Sequence, residues 1–371
     1  MSTPIAGYTA PGYEPVREAF AEALDAEPGN QNAHLAAYAH GRLVADLWNG
    51  PDGDALTGLY SVAKGVTALV TALVVQDGRV DLDATVASYW PEFGQKALTV
   101  RQLLGHRSGL VGVPEGFTPA QLADDRVLAA RLASAEPYWT PGDGYGYHAY
   151  VIGALVGEVV LRATGRTVRE IYEERVRAPR GLDLFLGLPA REENRFTPML
   201  PALGESGLPP RDSLIAVAFN LHTDPPADIQ TFLNSREARA KGPASAGAVG
   251  NARGIAGVYA AAIGADGTEP LLRPETVAAF AEPYSTGIDL VTGEDHAFAL
   301  GFEAQGLRYP GLSRHAFGHS GAAGAQGFAD PGLGLAYGYS RSRFHFPPGG
   351  GAVENDGFVA ALVEAAAREA G

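Results

Sequence analysis

Ser61 and Lys64 stand three residues apart at the head of an apolar run, Leu59-Tyr60-Ser61-Val62-Ala63-Lys64-Gly65-Val66-Thr67-Ala68-Leu69-Val70. On a helix that spacing puts both side chains on one face, about one turn apart. A serine hydroxyl is a weak nucleophile until a neighbouring base takes its proton. A lysine becomes such a base when burial disfavours its charged form. Only three lysines occur in the chain, the others being Lys96 and Lys241, and arginine cannot serve because it does not deprotonate usefully. The helix start also offers unpaired N–H groups and a positive dipole end, which suit an oxyanion developing beside the serine. The plainer alternative is a serine near a helix cap with a solvated lysine one turn on. Chance alone would give Ser-x-x-Lys in roughly one such chain in ten, so context must decide.

Two further segments supply it. Trp139-Thr140-Pro141-Gly142-Asp143-Gly144-Tyr145-Gly146-Tyr147-His148-Ala149-Tyr150 is a Pro-Gly turn followed by aromatics, directly before an apolar helix. It delivers a tyrosine from a rigid loop, and a lysine ammonium beside it would favour the phenolate. Loop tyrosines more commonly serve in packing. Phe317-Gly318-His319-Ser320-Gly321-Ala322-Ala323-Gly324 is a run of small residues on a strand edge, where a substrate can approach the backbone and bond its N–H groups. Its plainer alternative is a glycine-rich hairpin.

The elements that must hold these groups are readable from periodicity. Val16, Phe20 and Leu24 make one stripe of an amphipathic helix, and residues 34–39 and 43–48 flank His40-Gly41-Arg42 as a hairpin. Helices follow from Ser61 to about Gln76, stopped by Asp77-Gly78, and around Val100 to Gly105. Further helices are expected at Val151 to Leu161, closed by Gly165, at Val168 to Val176 and at Asn251 to Ile263. Pro201 to Gly247 is rich in Pro, Gly, Ser and Asp and is expected to drape over a surface. Past residue 296, Ala297–Ala304, Gly324–Ala329 and Leu333–Ser340 read as strands with tight glycine turns, and a last helix runs from about Asp356 to Ala370. Strands joined so closely must be antiparallel, and the N-terminal hairpin can join their sheet. The fold class is α/β (α+β): an antiparallel sheet flanked by helices, with a mostly helical domain inserted. The expected division is residues 1–58 with 290–371 for the discontinuous α/β domain and 59–289 for the helical one.

Composition narrows the function. Asp plus Glu outnumber Lys plus Arg by 42 to 28, a net charge of −14, which disfavours nucleic-acid or polybasic membrane binding. No cysteine occurs, excluding disulfides, thiol nucleophiles and cysteine-ligated metals. Met1 to Gly7 lacks the charged and apolar regions of a signal peptide, and no stretch approaches ~20 uncharged apolar residues, so a soluble, cytoplasmic protein is expected. No H-E-x-x-H or phosphate-binding loop is present, and neither metal nor cofactor is expected. Gly318-His319-Ser320-Gly321-Ala322 faintly imitates the G-x-S-x-G elbow of α/β-hydrolases. That elbow must enter a helix and needs Asp and then His downstream, whereas here strand-like sequence follows and only His345 remains.

In order and spacing the three segments resemble the serine β-lactamase and penicillin-binding-protein superfamily. Within it they are most similar to the β-lactamase-like, family VIII carboxylesterases related to class C enzymes. Tyr60–Ala68 matches the first motif of that group, and Leu98–Leu110 its LLxHxSGL segment. Pro141–Ala149 matches its tyrosine loop, and His319-Ser320-Gly321 stands where lactamases carry K-T-G. The resemblance runs from about residue 15 to 365 and implies a β-lactamase/transpeptidase-like fold with the site between two domains.

The resemblance also implies roles. Ser61 would be the acylated nucleophile, Lys64 and Tyr147 would share the proton transfers, and the N–H groups of Ser61 and Ala322 would form the oxyanion hole. His319, Ser320, Gly321, Tyr145, His148 and Trp139 would touch a small ester substrate. The chain departs from the lactamase pattern twice. Tyr147-His148-Ala149 lacks the amide of Tyr-x-Asn that would hold an amide-type substrate and the lysine, and His319-Ser320-Gly321 lacks the cation of K-T-G. Both departures favour short neutral carboxylic esters over carboxylate-bearing lactams. A β-lactamase, D-aminopeptidase, amide hydrolase or acyltransferase of the same superfamily is the alternative. A catalytically inactive binding or scaffold homologue is the alternative of another class. Oligomeric state is not legible.

Overall fold

The computed structural model describes residues 4–27, 32–50, 52–203, 207–345 and 350–370. The expectation about the N-terminal leader therefore falls partly outside them, at residues 1–3. The strands are β1 (Ala6–Thr9), β2 (His34–Ala39), β3 (Arg42–Trp48), β4 (Thr57–Tyr60), β5 (Leu184–Leu186), β6 (Ala248–Gly250), β7 (Glu303–Ala304), β8 (Phe317–Ser320), β9 (Gln326–Asp330) and β10 (Leu335–Ser340). The long helices are α1 (Glu14–Ala26), α2 (Val62–Gln76), α3 (Ile152–Thr164), α4 (Ala252–Ile263) and α5 (Asn355–Ala370).

Seven strands form one antiparallel sheet in the order β1-β3-β2-β10-β9-β8-β7. The two ends of the chain meet where Leu335–Ser340 pairs with His34–Ala39, because a short hairpin on each side leaves one strand edge to be satisfied. The expected hairpin turn is made by His40 and Gly41, both at positive φ, the backbone that two-residue turns require. Helices α1 and α5 cover one face. Val16, Phe20 and Leu24 are buried there as the stripe predicts, and Phe20 meets Phe358 at 5.8 Å between ring centres.

Helix α4 covers the other face, against β2, β9 and β10, although its residues fall within the stretch expected to build the helical domain. Its small residues allow this. Gly338 lies so close to α4 that a methyl group there would sit 2.3 Å from the Ala252 carbonyl oxygen. Arg253 then ties the helix to Asp46 of β3 at 2.7 Å.

Two expectations are corrected in detail. Ala297–Ala304 is not one strand. Gly301 at φ +77° turns the chain, Ala299 N–H donates to Phe302 O, and only Glu303–Ala304 pairs with β8. Pro201–Gly247 does more than drape. Short helices interrupt it, and Val217, Ala218 and Phe219 are buried in a cluster with Tyr145 and Tyr147.

Helix α2 is central. Every residue from Val62 to Val74 is buried, which a helix apolar on all sides demands. It is enclosed by α3, α4 and β8, so a polar group on it must find its partners inside the protein. The small sheet β4-β6-β5 feeds directly into its start.

Candidate active site

Strand β4 ends at Tyr60, whose φ of +49° is a strained backbone for a bulky residue. That bend turns the chain into α2 and leaves Ser61 at the helix cap. The serine side chain makes no capping bond, so the plainer capping alternative does not hold. Its Oγ lies 3.0 Å from Lys64 Nζ and 2.8 Å from the Tyr147 hydroxyl. Ser61, Lys64 and Tyr147 are 9%, 3% and 9% exposed, so their proton exchange is sheltered from bulk water.

Lys64 Nζ also donates to the carbonyls of Ala149 (2.6 Å) and Ser245 (2.8 Å). Burial drives its pKa well below the usual lysine value, while the negative charge of Glu303 works weakly the other way. As a free amine, Lys64 can donate two N–H bonds to the carbonyls and turn its lone pair to the Ser61 hydroxyl. Tyr147 is pushed far above the ordinary phenol value by burial, against the pull of its bond to Ser61. The expectation of a phenolate favoured by an ammonium is therefore corrected: burial favours the neutral form of both groups. One arrangement satisfies all the atoms, with Tyr147 O–H donating to Ser61 Oγ and Ser61 O–H to Lys64.

Tyr147 is held by the 98–110 segment. Gly146 N–H donates to the His106 carbonyl (3.1 Å), and His148 N–H donates to His106 Nδ1 (3.1 Å). His148 Nδ1 meets Gly146 O at 2.6 Å, and its Nε2 meets Ser108 Oγ at 2.7 Å. Carbonyl oxygen only accepts, so Nδ1 carries the proton and Ser108 donates to Nε2. Burial brings His148 down to about 4, keeping it neutral. The Tyr147 ring stacks on buried Phe298, 6.0 Å away and 4° from parallel, with Phe219 at 6.1 Å.

Two residues expected to touch substrate have their polar atoms engaged inside the protein. Both ring nitrogens of His148 are used inside the protein, and the Tyr145 hydroxyl is held by the carbonyls of Gly287 and His296 (2.6 Å to the latter). Trp139 packs edge-on against His148 at 5.8 Å. The bonds of Tyr145 and His148 make them supports of the tyrosine loop, while half-buried Trp139 stays open to the expected substrate contact.

The third segment lies against the start of the first. A methyl group on Gly321 would sit 2.2 Å from the Leu59 carbonyl oxygen, so only glycine lets the end of β8 reach β4 two residues before Ser61. Gly321 N–H donates to Ala325 O and Gly324 N–H to Gly321 O, each at 2.8 Å, closing a turn that presents Ala322. Among the described residues neither the Ser61 nor the Ala322 N–H has a protein acceptor. Ser320 faces away, its Oγ donating to Glu303 Oε1 at 2.6 Å and its N–H to Oε2 at 3.0 Å, so its expected substrate contact is corrected too. His319 is fully buried, with Nδ1 on Ser320 O (2.8 Å) and Nε2 without a protein partner.

Sequence reasoning missed Ser245, Phe298, Phe219 and Glu303. Ser245 acts through its carbonyl, which no side-chain type announces. Glu303 did leave a signal, as a lone carboxylate in the apolar run Ala297–Ala304. No group of three His, Asp or Glu suited to a metal ion occurs among the described residues.

The chain belongs to the Beta-lactamase family, whose profile matches residues 17–360. It is similar over nearly its whole length to EstA from Arthrobacter nitroguajacolicus Rue61a, with 40% identity, 99% of this chain and 100% of that one covered, and a TM-score of 0.91. A family VIII carboxylesterase structure is similar at 33% identity, with 98% and 99% covered and a TM-score of 0.85. The esterase/beta-lactamase LipL of Mycobacterium tuberculosis (strain ATCC 25618 / H37Rv) is 34% identical over 200 residues, 50% of this chain and 46% of LipL. The matched stretches thus span less than half of the curated relatives. The expected β-lactamase/transpeptidase-like fold is the one the protein has. No helix of the described residues is long and apolar enough to cross a membrane.

Proposed function

We propose that this protein is a serine hydrolase that cleaves short-chain carboxylic esters through an acyl-enzyme on Ser61. The observation that carries the reading is the buried Ser61 Oγ, 3.0 Å from Lys64 Nζ and 2.8 Å from the Tyr147 hydroxyl. Likeness to EstA and to a family VIII carboxylesterase along almost the full chain supports an esterase.

In the proposed cycle Lys64, held neutral by burial, takes the Ser61 proton as Oγ attacks the ester carbonyl. The N–H groups of Ser61 and Ala322 stabilise the tetrahedral oxyanion. Tyr147, neutral and hydrogen-bonded to Ser61, hands its proton to the departing alkoxide and regains one by way of Lys64. Water then attacks the acyl-enzyme, releasing the acid and restoring Ser61. The two departures from the lactamase pattern favour neutral esters, since His319 offers no cation at neutral pH. A cytoplasmic location goes with this reading and is supported by the cysteine-free composition. We also keep residues 1–58 with 290–371 and residues 59–289 as the proposed two-domain division, with α4 packed across it.

The test is turnover of p-nitrophenyl acetate and of a chromogenic cephalosporin by the protein and by Ser61→Ala. Ester hydrolysis that disappears in the variant, with little lactam opening, is expected. Ester hydrolysis surviving in Ser61→Ala overturns the mechanism. Rapid lactam opening overturns the preference.

A further inference from the structure

Behind the His319–Ala322 turn lies a buried carboxylate with no part in the cycle above. Glu303, on the edge strand β7, is 3% exposed. It accepts the N–H and the O–H of Ser320, and the side-chain amide of Gln305 at 2.8 Å. His319 Nδ1 is 3.3 Å from its Oε1. A buried carboxylate with three donors is a fixed anchor, because breaking any one bond strands charge in a low-dielectric interior. The anchored residue, Ser320, stands two positions before Ala322.

We propose that Glu303 is a positioning residue for ester hydrolysis: it pins the end of β8 so that the Ala322 N–H faces Ser61, and it orients the His319 ring. The proposal rests on the hydrolase reading of Ser61. The ring orientation follows from the acceptors. Nδ1 sits between Ser320 O and Glu303 Oε1, both proton acceptors, so it carries the hydrogen. Nε2 is then a lone-pair acceptor, buried and without a protein partner. Burial brings His319 down to about 4, against the pull of Glu303, so the ring is neutral at pH 7. Burial pushes the Glu303 carboxyl up, but His319, His296, Arg308 and the Ser320 bond outweigh it and leave it below the ordinary value. At pH 7 the pair is a carboxylate beside a neutral imidazole: His319 pulls on the carboxyl only when protonated, and at neutral pH the Ser320 and Gln305 donors and the nearby Arg308 charge hold the carboxylate.

That charge reaches the reacting groups. The titratable groups that feel it are His319 on β8, His296 on the 285–298 loop, Arg308 after β7, Tyr259 on α4, Tyr309, Lys64 and Tyr147. Its field raises the pKa of both Lys64 and Tyr147. Removing the charge therefore lowers both, and Lys64, which takes the Ser61 proton in the proposed cycle, stays deprotonated to lower pH. The isosteric Glu303→Gln removes the charge and keeps one acceptor oxygen, able to serve the Ser320 and Gln305 N–H groups that meet Oε2, while its NH2 replaces Oε1 and can only donate, to Ser320 Oγ. Glu303→Asp keeps the charge but withdraws it by one methylene, loosening the anchor.

The experiment measures the rate of Ser61 labelling by a fluorophosphonate probe, and kcat/KM for p-nitrophenyl acetate, each from pH 5 to 9. Glu303→Gln is expected to shift the acid limb of both profiles down by about half a unit or more. Glu303→Asp is expected to keep the limb and lose roughly tenfold or more in kcat/KM through the displaced oxyanion donor. A folded Glu303→Gln whose limb stays in place or moves up overturns the proposal, as does a Glu303→Asp enzyme with unchanged kcat/KM. If Glu303→Gln fails to fold, the Asp variant alone decides. Failure of Ser61 to label in the unmodified protein would instead overturn the hydrolase reading, so the two failures are told apart.

Discussion

Replacing Gly153 with alanine should disable the enzyme by moving a backbone carbonyl. Gly153 lies in the first turn of α3, where residues 244 and 245 cross the helix, and its N–H donates to Ser245 Oγ at 2.7 Å. An added Cβ would sit 2.4 Å from the Ala244 carbonyl carbon, 2.5 Å from Ser245 N and 2.7 Å from Ala244 O. All three are backbone atoms, which cannot swing aside as the end of a side chain can. Ordinary contact begins near 3.4 Å, so the crossing segment must retreat by about 1 Å. The same segment holds Lys64 through Ser245 O at 2.8 Å and Thr67 through Ala244 O at 2.8 Å. A retreat of that size takes the Lys64 bond out of range and frees the ammonium or amine to turn. Overpacking costs about 1–3 kcal/mol, partly offset by a gain of up to about 1 kcal/mol from replacing a helical glycine. A displacement of about 1 Å at a catalytic group lowers the rate about a hundredfold. The assay pairs kcat/KM on p-nitrophenyl acetate with thermal denaturation, beside Gly157→Ala on the same helix. There the added carbon would meet only Val168 Cγ2, at 3.8 Å, so activity should hold and stability should stay level or rise. If Gly153→Ala matches Gly157→Ala in both readouts, the idea that Lys64 depends on this crossing is wrong.

Tyr147→Phe should lose about 10²–10⁴ in kcat with little change in KM, because it removes a proton donor and leaves the ring stack on Phe298; steady-state kinetics giving a KM effect alone would contradict this. The free amine of Lys64 must take a proton, so kcat/KM should rise with pH through a pKa well below the lysine value of 10.5, and a profile that stays low until pH 10 would show a charged lysine. Asp125 is raised to about 6 by burial, with Oδ2 on Ala244 N–H at 2.9 Å and Oδ1 unpartnered. A folded pKa above the 3.8 reference contributes stability that is complete below about pH 4 and lost as pH rises through 6. The loss is at most about 3 kcal/mol, since part of the residue reaches an open cleft. Urea melts at pH 4 and 7.5 should show that loss in the native protein and a flatter response in Asp125→Asn, and equal slopes in the two would rule it out.

The elements and the meeting of Ser61 with Lys64 were legible because each has a local cause. The Val16–Phe20–Leu24 stripe, the largely apolar α2 and the His40-Gly41 turn follow from periodicity and turn chemistry within a few residues. Ser61 and Lys64 were legible as an i,i+3 pair on a helix. What escaped depends on tertiary contact. The segment carrying Ser245 reads as a surface loop, yet its carbonyl lies beside Lys64, 181 residues away in sequence. Tyr145 and His148 looked like substrate contacts because aromatic and imidazole groups beside a candidate site invite that reading. Whether their polar atoms are free depends on Ser108, Gly287 and His296, none of which is adjacent in sequence. Ser320 was read as facing substrate because it stands in the motif, but alternation along β8 sends its hydroxyl to Glu303 instead.

The Ala149 carbonyl gives the first sequence departure its chemical meaning. Where Tyr-x-Asn would offer an amide, able both to donate and to accept, the third position here offers Lys64 only a main-chain acceptor, at 2.6 Å. A substrate amide or carboxylate loses a donor it would otherwise find. With His319 buried and neutral, the opposite wall supplies no cation either. What remains around Ser61 is the Lys64 amine, the Tyr147 hydroxyl and two backbone N–H groups, which on the proposed reading are base, acid and oxyanion donors, without a charged group to recruit an anionic substrate. Ester carbonyls, reactive without further activation and uncharged, are the acyl donors such a site accepts most readily. Restoring only the cation, as His319→Lys, would place an ammonium in the buried space beside Lys64 and Tyr147. Its charge would lower the Lys64 pKa further and would have Glu303 as its nearest counter-charge. Gain of lactam opening therefore requires the amide at Ala149 and the cation at His319 together, and cephalosporin hydrolysis by the double variant should exceed what the two single changes give in combination.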